Sequence, residues 1–128
     1  MRYEYTPQPD GGQPRPLLQV EVGGSASTVA LVDSGAVNTL LPSWVAGLVG
    51  IDLEGTALQT VRIGAGLEAR FTTVPLSAAG TSWEAQVGFS DHPLLERWGV
   101  LGHAAFFRFF SVTFQAADLQ FEVTPGPR

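Results

Sequence analysis

Cysteine is absent from the 128 residues, which removes disulfides, thiolate nucleophiles and Cys-based metal sites from consideration. Lysine is absent as well: the seven basic residues are all arginines, Arg2, Arg15, Arg62, Arg70, Arg97, Arg108 and Arg128, and none cluster. With no basic stripe and a formal charge of -5, the chain has little with which to neutralise a phosphate backbone, and no nucleic-acid partner is expected. Long apolar runs are missing too. The stretch from Leu40 to Ile51 is broken by Pro42, Ser43 and glycines, so it falls short of a membrane span, and no membrane partner is expected. Met1 to Tyr5 contains no apolar h-region, so no secretory signal is expected and a cytoplasmic location fits. The only histidines, His92 and His103, form no His-x-x-x-His pair, and neither a metal nor a cofactor is expected.

What is present is an apolar fraction of 45% against 15% charged residues, the balance of one globular domain. The 15 glycines and 9 prolines fall between short apolar runs and read as turn punctuation, which predicts many short strands. Residues 1–16 form an N-terminal segment whose Thr6 to Pro16 portion holds four prolines and two glycines, a loop or extended linker. Residues 17–123 form the body and 124–128 a tail. Within the body, Leu17 to Val22 alternates as a strand, and Thr28 to Val32 lacks polar alternation after its first residue, as expected of a strand buried on both faces. Pro42 to Val49 predicts a short helix stopped by Gly50. Leu58 to Ile63 and Leu67 to Leu76 flank Gly64-Ala65-Gly66 and predict a long hairpin. Further strands are expected at Trp83 to Phe89, Ser111 to Phe114 and Leu119 to Val123, with about two helical turns from His103 to Phe110. Phe106, Phe107, Phe109, Phe110 and Phe114 read as core, with a share in dimer contact.

Two short patterns compete for chemical meaning. Gly64-Ala65-Gly66-Leu67-Glu68-Ala69 fits a GxGxxA dinucleotide fingerprint, but Arg70 to Pro75 is strand-forming, so the helix that fingerprint requires is missing. Asp33-Ser34-Gly35, taken alone, is an ordinary Asx-turn. Its setting gives it more: an aspartate opening a turn directly after an apolar strand sits at the rim of the core, beside a hydroxyl and a glycine that lets backbone approach. The run Ala30-Leu31-Val32-Asp33-Ser34-Gly35-Ala36-Val37-Asn38-Thr39-Leu40-Leu41 resembles the active-site signature of aspartic peptidases. Val100-Leu101-Gly102-His103, followed by a short helix, resembles the apolar-apolar-Gly segment that packs under that loop, and Ile63-Gly64-Ala65-Gly66 resembles a flap tip. In this order and spacing, over about residues 17–123, the three resemble the retropepsin-like family in its small bacterial single-domain form.

The resemblance implies an all-β, closed or semi-closed barrel of the acid-protease type with one or two short helices, working as a homodimer. Asp-Ser-Gly occurs once here, whereas two-lobed aspartic peptidases carry two copies of their motif. The implied site therefore takes Asp33 from each of two subunits, supported by Ser34, Gly35 and Ala36, covered by the flap Ile63 to Gly66, and packed on Leu101, Gly102 and His103. The implied partners are a second copy and a peptide or protein substrate, and the implied activity is endopeptidase hydrolysis. The chain departs from the pattern at Val37, where the family carries a small or acidic polar residue, and at His103, where viral members carry arginine. An ion pair between those positions is thus not expected. A catalytically silent module retaining the fold for dimerisation or peptide binding is the alternative.

Overall fold

The computed structural model describes residues 1–63 and 65–126. Ten strands account for most of the fold: β1 (Arg2–Glu4), β2 (Leu17–Val22), β3 (Ala26–Val32), β4 (Leu40–Pro42), β5 (Leu58–Ile63), β6 (Ala65–Ala78), β7 (Thr81–Ser90), β8 (Gly99–Leu101), β9 (Phe110–Gln115) and β10 (Gln120–Pro125). Between them lie one helix, α1 (Ser43–Leu48), a π-helical turn at His103–Phe107, and 3-10 turns at Pro93–Leu95 and Ala116–Asp118. Among the described residues no helix is long and apolar enough to cross a membrane.

The larger sheet runs in the order β2-β3-β8-β4-β7-β6-β5. It also pairs β2 with β6, through Glu21 opposite Ser77 and Val22 opposite Leu76. That pairing closes six strands into a barrel and leaves β5 outside the ring, hydrogen-bonded among the described residues only to β6. Two contacts are parallel, β3 with β8 and β4 with β7, and the rest are antiparallel. Closure removes the open edges of the six ring strands, while the outer edge of β5 stays open.

Burial follows the barrel. Along β3, Ala26, Thr28, Ala30 and Val32 point inward while Ser27 is exposed and Val29 is 40% exposed. The expectation that this strand is buried on both faces is therefore wrong: one side of the barrel wall faces water, so period-2 burial returns even where the outward residue is apolar. The interior holds Val20, Val22, Leu41, Val45, Val74, Leu76, Val87, Phe89 and Leu101 in one cluster. At about 1.5–3 kcal/mol for each large apolar side chain fully buried, this cluster is the main stabilising term. A second, smaller cluster joins Leu40, Val61, Leu67, Ala69, Phe71, Leu95 and Val100, with Ala36 packed against it. It ties the β5–β6 hairpin to the end of the barrel.

A separate three-stranded sheet, β1-β10-β9, lies against the barrel and shares its core through Phe110, Phe121 and Val123. The N-terminal segment thus enters the fold: Tyr3 stands opposite Phe121 and stacks on it at 5.4 Å between centroids. Of the phenylalanine run, Phe106 and Phe110 are buried, but Phe114 is 38% exposed on the edge strand β9 and is not core. Trp83 reaches across from β7 and donates its indole N–H to the Ala105 carbonyl at 2.8 Å, fixing the π-helical turn to the barrel. That turn covers His103 to Phe107 and is shorter than the two helical turns expected through Phe110, because Phe110 already begins β9. After the hairpin tip the chain is strand to Ala78, so no helix follows the glycines.

Candidate active site

Parallel pairing of β3 with β8 brings their C-terminal ends out of the barrel side by side, Val32 opposite Leu101. The next residues along each strand are Asp33 and Gly102, and this is where the sequence-predicted site residues meet. Asp33 donates its backbone N–H to the Leu101 carbonyl at 3.1 Å, and its own carbonyl accepts from Ala36 at 3.1 Å. Its side-chain Oδ1 accepts the Gly35 N–H at 2.9 Å, which makes the expected Asx-turn and fixes the carboxylate's direction. Oδ2 carries no hydrogen bond among the described residues. A Cβ on residue 35 would lie 3.3 Å from Asp33 Oδ1, so glycine there keeps the carboxylate in place.

Gly102 threads beneath the loop. A Cβ on it would collide with the Asn38 carbonyl oxygen and lie 2.7 Å from the Asn38 carbonyl carbon and 2.8 Å from the Ala36 oxygen. No side chain fits between these backbone atoms. The Gly102 N–H is buried and donates to Thr39 Oγ1 at 3.0 Å. His103 N–H then donates to the Ala36 carbonyl at 3.0 Å and Ala104 N–H to the Val37 carbonyl at 2.8 Å. The two segments are laced together along their length.

His103 adds a further brace. Its Nε2 lies 2.6 Å from the Ser34 carbonyl oxygen. A carbonyl only accepts, so Nε2 carries the proton. The loop is held through a backbone acceptor, and Val37, 70% exposed, takes no side-chain part. Ser34 is exposed and its hydroxyl makes no hydrogen bond among the described residues.

Facing the loop is the outer edge of β5. The Phe71 N–H donates to the Ala57 carbonyl at 3.3 Å, and the antiparallel register continues from there as Leu58 opposite Arg70, Thr60 opposite Glu68 and Arg62 opposite Gly66. By the alternation of such a ladder, the N–H and C=O groups of Leu58, Thr60 and Arg62 point away from β6, toward the unpaired edge. A cavity of about 550 Å³ opens there, lined by Thr60, Val61 and Arg62 on one side and Asp33, Gly35, Ala36, Val37 and Asn38 on the other. Among the described residues, three consecutive residues of β5 contribute and none of β6, which places the cavity on the free edge. Of the expected flap residues, Gly64 lies outside the described residues, as do the side chains of Ile63 and Ala65, while Gly66 is paired in the hairpin opposite Arg62.

A larger hollow of about 830 Å³ lies on the broad face of the same hairpin, lined by Leu58, Thr60, Glu68, Arg70, Asp91 and His92 among others, without Asp33. Thr60 borders both spaces. His92 sits in a turn, its Nδ1 accepting from the Leu94 N–H at 3.1 Å. Among the described residues no three of His, Asp and Glu come close enough together to hold a metal ion. Thr60 and Arg62 were not singled out from the sequence, and Thr39 stood there only as one position of the Ala30 to Leu41 run. Thr39 had a local signal, a hydroxyl just before the Leu40-Leu41 pair, but Thr60 and Arg62 depend on which edge of the hairpin stays unpaired.

No protein-family model matches the chain, and no curated protein matches it.

Proposed function

We propose that this chain is a retropepsin-type aspartic endopeptidase, in which Asp33 from two copies forms one catalytic dyad. The observation that carries the reading is the placement of Asp33: a carboxylate aimed by Gly35 and braced by Gly102 and His103, opening onto a cavity beside an unpaired strand edge. A peptide laid along β5 would find the N–H and C=O groups of Thr60 and Arg62 facing it, the geometry of strand addition. Its scissile bond would then lie over the loop.

One carboxyl group cannot be both general base and general acid to a single attack. Two that lie close cannot both ionise, so a pair shares one proton. In the dyad, the ionised Asp33 takes a proton from water as the water oxygen bonds to the carbonyl carbon. The protonated Asp33 of the other copy gives its proton to the carbonyl oxygen. Collapse of the resulting diol passes a proton to the amide nitrogen and breaks the C–N bond. Support for a second copy comes from the rim, where exposed Ser34 and 70% exposed Val37 flank Asp33, an apolar side chain left in water by the single chain. A two-fold arrangement would cover it.

The test is incubation of concentrated protein with an unfolded protein at pH ~4 to 6, where a shared proton is expected, followed by mass spectrometry of the products. Cleavage is expected, and Asp33→Asn abolishes it. The unpaired β5 edge by itself also suits a peptide-binding module without catalysis, and equal behaviour of the wild type and Asp33→Asn would favour that reading.

A further inference from the structure

We propose that Arg62 makes the Asp33 cavity selective for peptides that carry an acidic side chain opposite it. This rests on the peptide-cleft reading above. Arg62 is exposed on β5 and lines the cavity, and its guanidinium has no carboxylate within ion-pair distance among the described residues. The ion pairs there are Arg2 with Glu122 and Arg97 with Asp10, both elsewhere on the surface. Arg70, on the neighbouring strand, is occupied by the Thr56 carbonyl at 2.9 Å. Arg62 is thus a cation facing the cleft without an internal partner.

Among the described residues, Asp33 and Arg62 are the only charged ones in the cavity lining. In the two-copy site a dyad sharing one proton contributes one negative charge, and two copies of Arg62 contribute two positive ones. The cleft is then net positive in a chain of formal charge -5. A strand added to the β5 edge places one of its residues directly across from Arg62, with both side chains on the same side of the ladder. A carboxylate at that position can accept two parallel N–H bonds from the guanidinium, a geometry that an amide or an ammonium cannot reproduce. Because Arg62 is exposed, water weakens the pair. Preference for Glu over Gln at this position is accordingly about three- to tenfold, with Lys disfavoured further by repulsion.

The experiment uses short peptide pools, randomised except at one position fixed as Glu, Gln or Lys, with that position moved along the peptide. Binding is read on the Asp33→Asn variant by fluorescence anisotropy, and cleavage on the wild type by mass spectrometry. One position is expected to favour Glu in both readouts. Arg62→Ala should flatten that preference and Arg62→Glu should turn it toward Lys. Asp33-dependent cleavage with no acidic preference, or with a preference that Arg62→Glu leaves unchanged, overturns the role of Arg62 and leaves the peptidase reading standing. Arg62-dependent binding of Glu pools without any cleavage supports Arg62 and sinks the peptidase reading. Neither binding nor cleavage of any pool sinks both.

Discussion

Replacing Gly102 with alanine tests the lacing of the Asp33 loop more sharply than any change in the loop itself. The added methyl would collide with the Asn38 carbonyl oxygen and come within 2.8 Å of the Ala36 oxygen. Both are backbone atoms, with no rotamer to escape into. A carbon beside a carbonyl oxygen settles at about 3.3 Å or more, so the loop must move by about half an ångström or more. Among the described residues five hydrogen bonds span this seam: Asp33 N–H to the Leu101 carbonyl, Gly102 N–H to Thr39 Oγ1, His103 N–H to Ala36, Ala104 N–H to Val37, and His103 Nε2–H to the Ser34 carbonyl. Losing two or three of them, at about 0.5–1.5 kcal/mol each, costs about 1–4.5 kcal/mol. With a urea slope of about 2 kcal/mol per molar, the middle of the range for a small domain, the midpoint should fall by about 0.5–2 M with the slope unchanged. Gly66→Ala is the control, since a Cβ there meets only Thr60 Cγ2 at 3.6 Å. It should shift stability by no more than about 0.5 kcal/mol. A Gly102→Ala protein as stable as the wild type would refute the packing argument, and so would equal losses in the two variants.

Three further outcomes are expected. Thr39→Val keeps the shape but leaves the buried Gly102 N–H without an acceptor, and should cost about 1–3 kcal/mol in chemical denaturation; a neutral result would mean that this bond contributes nothing net. His103→Phe removes the donor to the Ser34 carbonyl while retaining a ring beside Phe107, so turnover should fall with KM little changed, and His103→Gln should recover part of it; equal loss in both variants would point to packing alone. Burial raises the Tyr3 phenol above its ordinary value of 10.0, so the folded chain holds that proton longer than the unfolded one. Its contribution is complete below pH 10.0 and is lost as the pH rises from there through the raised value, a loss that urea midpoints should show in the wild type and not in Tyr3→Phe.

Much of the barrel was legible because short apolar runs set off by glycine and proline have few other uses. Strands β2, β5, β7 and β9, the α1 helix and the Asp33 turn stand close to where local pattern puts them. The misses have physical causes. An apolar run such as Thr28 to Val32 looks the same whether its second face is covered or open, and in a six-stranded barrel the outer face of β3 is open, leaving Val29 in water. The three residues of β1 are too few for a periodic signal, and they become a strand only because β10 offers them an edge. Phe114 looks like core by composition but falls on the last strand of the small sheet. At the site, Asp33 and Gly102 could be singled out because the runs that hold them, Ala30 to Leu41 and Val100 to His103, resemble a known pattern; the backbone crowding that requires glycine at 102 shows only in the fold. The partner of His103 could not, since the acceptor is a main-chain carbonyl and carries no side-chain signature. Arg62 is plain in the sequence as an arginine; only the pairing of β5 with β6 on one side, and with nothing on the other among the described residues, gives it a cavity to line.

The most direct test of the shared dyad is a mixing experiment. Wild-type chain and the Asp33→Asn variant are combined at fixed total concentration, allowed to exchange, and assayed for peptide cleavage across the range of mixing ratios. If hydrolysis needs one carboxyl from each of two copies, activity follows the square of the wild-type fraction, and an equal mixture retains about one quarter of the full rate. A straight line, with about half the rate at the midpoint, would mean that each chain acts with its own Asp33 alone and would contradict the account.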